Sequence, residues 1–173
     1  NYWQAEFALG AWAQGQFGGR GAVFAPIYDI GYHMHSSFRQ GVLQTENCPI
    51  EYAVPRFNND SNYDVKDAML EYMQKFKKER PSYIHAIFSG KEALDFFEVY
   101  HKEGLHKEIP LIVSPHMASY EVLKNVQHLD MTFYSASLWD FNSENKENTK
   151  FKEDYLSSTG DMANTFSLLG YEV

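Results

Sequence analysis

"VKDAMLEYMQKFKKERPSYIHAIFSGKEALDFFEVYHKEGLHKEIPLIVS", Val65 to Ser114, decides the fold, because it changes hydrophobic period three times in fifty residues. Val65, Ala68, Met69, Tyr72, Met73 and Phe76 recur at helical spacing, with Asp64 placed to cap the first turn. "YIHAIF" is a short apolar run ended by "SG" and reads as a buried strand. "KEALDFFEVYHKEG" returns to the helical period and is closed by Gly104, and "PLIVS" is a second buried strand ended by Pro115. Strands that alternate with helices of ten or more residues need crossover connections, so their sheet is parallel and covered on both faces.

The pattern extends in both directions. Upstream, "QAEFALGAWAQGQF" is helical and stops at "GGR", "GAVFA" is a strand, "HMHSSFRQGVLQ" a helix and "IEYAV" a strand closed by Pro55. Downstream, "SYEVLKNV" is a short helix and "MTFYSAS" a fifth strand. The expected fold class is therefore α/β, a three-layer α/β/α sandwich around a mainly parallel five-stranded sheet of flavodoxin-like or Rossmann-like type. From Trp139 the chain turns polar and then forms two helices with no strand between them. Residues 1–138 are expected to form one lobe, and 139–173 a crossover whose helices belong elsewhere. The chain opens at Asn1 and closes inside the apolar helical pattern "SLLGYEV", so a fragment or processed product is expected.

Composition narrows the function. The chain has 173 residues, 44% hydrophobic and 22% charged, and a formal net charge of -8. Such a length buries about 70% of its unfolded surface, which is ample for one core. Lys and Arg are dispersed apart from "KFKKER", so there is no basic face for nucleic acid. Cys48 is alone, which removes an internal disulfide and a Cys-based zinc site. No apolar run reaches the roughly 20 residues of a membrane helix, and no signal-peptide pattern is present.

In a parallel sheet the ligand lies outside the carboxyl ends of the strands. The loops expected there begin at Pro26–Gly31, Pro55–Asn62, Ser89–Gly90, Ser114–Met117 and Leu138–Asn142. The first of them, "APIYDIGYHMH", has no glycine-rich phosphate loop, and Asp29 puts a negative charge where a phosphate would sit. His33 and His35 are two residues apart on a helix, about 200° around its axis, and so do not converge on a metal. No GxSxG elbow is present, and no acid is evidently placed to orient His116 toward Ser89 or Ser114. No cofactor and no metal are expected. What the loops share is aromatic and hydrogen-bonding groups: Tyr28, Asp29, Tyr32, Arg56, Ser89, His116, Trp139 and Phe141. That mix suits reversible capture of a small polar molecule with an apolar part.

With these residues and their order on the page, Asn1 to about Ser137 resembles the second lobe of the leucine/isoleucine/valine-binding type of periplasmic solute-binding proteins, the class I group that feeds ABC transporters. The pattern is an aromatic and a Gly after the first strand, an Asp opening the long helix, "PSYI" entering the third strand and Gly104 before "PLIVSP". "FKEDYL" and "NTFSLLGYEV" look like the helices that return to the first lobe in such proteins. The resemblance implies a non-enzymatic, periplasmic protein that closes on a small molecule with a missing first lobe and hands it to a permease. Matched by position, the ligand contacts fall on Tyr28, Asp29 and Ile30, on Ser89 and on His116, with Trp139 at the last loop. In relatives that bind amino acids the fourth-strand position is acidic. A His there holds an ammonium less strongly, so a carboxylate-bearing, amide or aromatic ligand fits as well as an amino acid. A sensory receptor ectodomain shares every one of these features, and a flavodoxin-like enzyme or cofactor domain shares the fold. The apolar face of "NTFSLLGYEV" is expected to make the chain self-associate, since exposing Phe166, Leu168 and Leu169 forgoes roughly 1.5–3 kcal/mol each.

Overall fold

The structure is a computed structural model, which describes residues 1–27, 29–43, 47–54 and 64–171, and of Asp29 and Ile30 the backbone alone. It divides into two compact units, Asn1–Ala136 and Ser137–Val173. The first unit runs α1 (Tyr2–Phe17), β1 (Ala22–Pro26), α2 (Asp29–Val42), β2 (Ile50–Val54), α3 (Val65–Glu79), β3 (Ile84–Ala86), α4 (Gly90–Lys102), β4 (Leu111–Val113) and α5 (Tyr120–Val126). The strands form a parallel sheet in the order β2-β1-β3-β4.

Alternation along each strand sorts its side chains into two layers. Phe24, Ile84, Ala86, Leu111 and Val113 face α3, α4 and α5, where Met69, Met73, Phe76, Phe96 and Phe97 close the larger core. Phe24 sits at its centre, with the rings of Tyr72, Phe76, Phe88 and Phe96 between 5.1 and 5.9 Å away. Val23, Ala25 and Ile112 face the other way, against Leu9, Ala13, Met34 and Phe38 of α1 and α2. This is the three-layer α/β/α arrangement expected from the alternating pattern.

α1 and α2 approach closely because each presents a glycine. A Cβ on Gly10 would stand 2.1 Å from the Phe38 carbonyl oxygen, and one on Gly41 would stand 2.1 Å from that of Phe7. On the other layer Asp64 caps α3 as expected, accepting from the Lys66 amide at 2.8 Å.

The expected fifth strand, "MTFYSAS", is a correction. Met131–Ser137 contributes a single parallel bridge, Tyr134 to Ile112. Its two bonds run from the Tyr134 amide to the Leu111 carbonyl and from the Val113 amide to the Tyr134 carbonyl. Continuing the ladder would require an amide hydrogen on residue 115, and Pro115 has none. The ordered sheet thus has four strands among the described residues, with a one-residue fifth position.

In the second unit α6 (Lys146–Thr159) is capped by Asn145, whose side chain accepts from the Asn148 amide, and α7 (Thr165–Tyr171) follows.

Candidate functional site

The sheet order fixes where a ligand crevice lies. The chain leaves β1 toward β2 on one side and enters β3 on the other, so the strand order reverses between β1 and β3, and the loops at their carboxyl ends separate. Those loops are the one leading into α2, the one from Ile87 to Gly90 and the 3-10 turn Pro115–Ala118 after β4.

Tyr28 lies outside the described residues, as do Arg56 and the whole of 55–63. Asp29 and Ile30 open α2 at the carboxyl end of β1, and their backbone is what the structure describes. Ser89 precedes α4 in extended conformation, and Gly90 follows at φ +55, a left-handed value that glycine adopts without strain. His33 is exposed and His35 half-buried, as their opposite placement on α2 requires.

His116 sits in the turn after β4, and its ring is turned inward. Its Nε2 lies 2.5 Å from the carbonyl oxygen of Phe88, the residue before Ser89, so the β3 and β4 loops are tied together at this point. A carbonyl only accepts, so Nε2 carries the hydrogen and Nδ1 accepts from Ser114 Oγ at 3.0 Å. Burial holds the imidazole below its ordinary pKa range, against the opposing pull of the Phe88 carbonyl and of Glu6. The ring is therefore neutral at pH 7. The Ser114–His116 pair is no hydrolytic centre: Ser114 is fully buried, and the second ring nitrogen is engaged by the backbone.

Three residues at this edge carry no signal in the sequence reading. Tyr2, in the first turn of α1, meets the His116 ring edge-on with 6.4 Å between centroids, and burial raises its phenol pKa. Glu6, one turn further on, is completely buried, and its Oε2 lies 2.8 Å from Nε2 of His85 in β3, also completely buried. The His85 ring stacks on Phe38 at 3.8 Å. Glu6 and His85 stand 79 residues apart, so no local pattern pairs them.

Trp139 belongs to the second unit. Its indole N–H donates to Asn148 Oδ1 at 2.7 Å, and its ring packs on Phe141 and Phe151. Asn148 also donates to the Ser143 carbonyl at 2.7 Å, so it closes the loop that carries the indole.

No family model matches the sequence, and no curated protein matches it. Solved structures do. The chain is similar to a solute binding protein of an ABC transporter from R. palustris in complex with 4-hydroxybenzoate, with a TM-score of 0.80 and 17% identity over 99% of this chain and 46% of that one. Another from R. palustris, in complex with benzoate, gives a TM-score of 0.77 at 19% identity over 99% and 45%. A putative branched-chain amino acid ABC transporter protein from Rhodospirillum rubrum gives 0.76 at 17% identity over 96% and 45%. What these proteins share with the chain is the fold. The chain spans about half the length of each.

Proposed function

We propose that this chain is one lobe of an extracytoplasmic solute-binding protein that serves an ABC transporter, and that it captures a small molecule without chemical change. The observation that carries the reading is the match of nearly the whole chain, at a TM-score of 0.80, to less than half of a solute-binding protein. Residues 1–138 are the lobe that follows the first crossover, residues 139–173 lead back to its partner lobe, and the protein works in the periplasm or its equivalent. The type is that of the branched-chain amino acid binders, in line with the likeness to the Rhodospirillum rubrum protein.

The ligand is an aromatic carboxylate rather than an α-amino acid. The fourth-strand position is occupied by His116, neutral and bonded inward, which offers no negative charge to an ammonium group. Ser89 and the amides around it supply donors, and the rings of Tyr2 and His116 supply an aromatic wall. Tyr28, Asp29, Ile30 and Trp139 are proposed as further ligand contacts on the family resemblance alone.

The test is a thermal-shift series on the protein carrying both lobes, with benzoate, 4-hydroxybenzoate and leucine. A ligand at 100 times its Kd stabilises by about 2.7 kcal/mol, a shift that is easily read. Stabilisation by the two benzoates and not by leucine is expected. Stabilisation by leucine alone would overturn the ligand class, and no response to any small acid would overturn the reading.

A further inference from the structure

The Glu6–His85 pair plays no part in ligand capture as described so far. Glu6 is the one acid of α1, and the helix turns it inward while Trp3 and Trp12 face outward. Burying such a pair is expensive, and an apolar pair of similar volume would stabilise the fold as well or better. Glu6 Oε1 and His85 Nδ1 have no protein partner among the described residues, which adds to the cost. What the pair supplies that packing does not is direction: a hydrogen bond between one atom of α1 and one atom of β3 is sensitive to the rotation and axial position of the helix. The surroundings are compatible with that role. From α2 the pair meets Phe38 and, further off, His35 with its neighbours Arg39 and Glu51. From the turn after β4 it meets His116, and from α1 itself Tyr2, one turn before Glu6 on the same face. Its neighbours across β1 and β4 are the apolar Val23 and Ile112.

We propose that Glu6 and His85 are positioning residues for the ligand-facing edge, their bond setting the register of the first turn of α1 and through it the contact of Tyr2 with His116. The proposal rests on the reading of the β3–β4 carboxyl edge as the ligand wall. The line of contacts is continuous: His85 holds Glu6, α1 carries Tyr2 from Glu6 to the His116 ring, and His116 holds the Phe88 carbonyl beside Ser89.

The experiment is NMR on the 173-residue chain with three variants. Glu6→Gln keeps the shape and a hydrogen bond, Glu6→Leu keeps the volume and removes it, and Glu6→Leu with His85→Phe replaces the pair by apolar groups. In Glu6→Gln the Tyr2–His116 ring cross-peak and the amide protection of the first turns of α1 should match the parent. In the folded leucine variants the cross-peak should vanish and that protection should fall at least about tenfold, while the rest of the sheet keeps its protection. A double variant that folds and keeps the cross-peak and the protection would reduce the pair to packing and overturn the proposal. If both leucine variants fail to fold while Glu6→Gln does fold, the pair serves the whole fold, and the positioning role is again overturned. None of these readouts uses a ligand, so failure of the ligand reading leaves the test intact.

Discussion

His116 and His35 are both held below the ordinary imidazole range, chiefly because burial penalises the imidazolium. The unfolded chain then takes up protons, at pH values between the folded midpoints and about 6.5, that the folded chain refuses. Stability from these groups is complete above about pH 6.5 and is lost as the pH falls from there toward the folded midpoints. Denaturant midpoints measured across this window should decline on acidification, and His116→Gln, which can still donate to the Phe88 carbonyl, should flatten the decline. An unchanged slope in that variant would mean that the ring titrates as freely folded as unfolded. Tyr100 gives a second expectation at this scale. Its buried hydroxyl donates to the Ile109 carbonyl, so Tyr100→Phe leaves a buried acceptor bare and should cost about 1–3 kcal/mol in a urea titration. Ser89 and His116 could be placed from sequence because a strand-ending "SG" and "SP" locate them whatever the helices do. Glu6 and His85 could not, because nothing local to either residue names a partner that far along the chain.

At the scale of elements, the α1–α2 crossing depends on two glycines facing opposite backbones. Gly10→Ala and Gly41→Ala should each destabilise by about 1–3 kcal/mol, since the listener on the other side is a carbonyl and not a flexible side chain. Calorimetry on the two variants checks this, and a loss below a few tenths of a kcal/mol would show that the helices can part without consequence. The glycines were visible in "ALGAW" and "RQGVL", yet nothing in those strings distinguishes a crossing point from a weak spot in a helix. Periodicity located α3 and α4 well because Met69, Met73 and Phe76, or Phe96, Phe97 and Tyr100, must all reach one core. It misjudged Met131–Ser137, where alternation is genuine but the neighbouring strand is only three residues long and is followed by Pro115. Alternation records which face a side chain seeks. Pairing depends on the partner's amides as well.

For the molecule as a whole, the proposed two-lobe site predicts that this chain alone binds poorly. Benzoate titrated into the chain alone by calorimetry should give a Kd weaker than about 1 mM, or −4.1 kcal/mol, and micromolar binding would contradict a two-lobe site. Phe166, Leu169 and Tyr171 of α7 are exposed, as is Leu156 of α6, and the chain alone should sediment as a dimer or larger species at high concentration. A monomer whose α7 amides are well protected from exchange would overturn that expectation. The exposed tryptophans of α1 have an optical consequence. Two of the three tryptophans, Trp3 and Trp12, are 49% and 41% exposed on one helix, nine residues and so about 180° apart around it. Their emission reports the surroundings of both flanks of α1, and Trp139, tied to Asn148, contributes a steadier background. Iodide quenching of the native fluorescence should therefore fall whenever another surface comes to lie on α1, giving a label-free measure of assembly that needs no engineered dye.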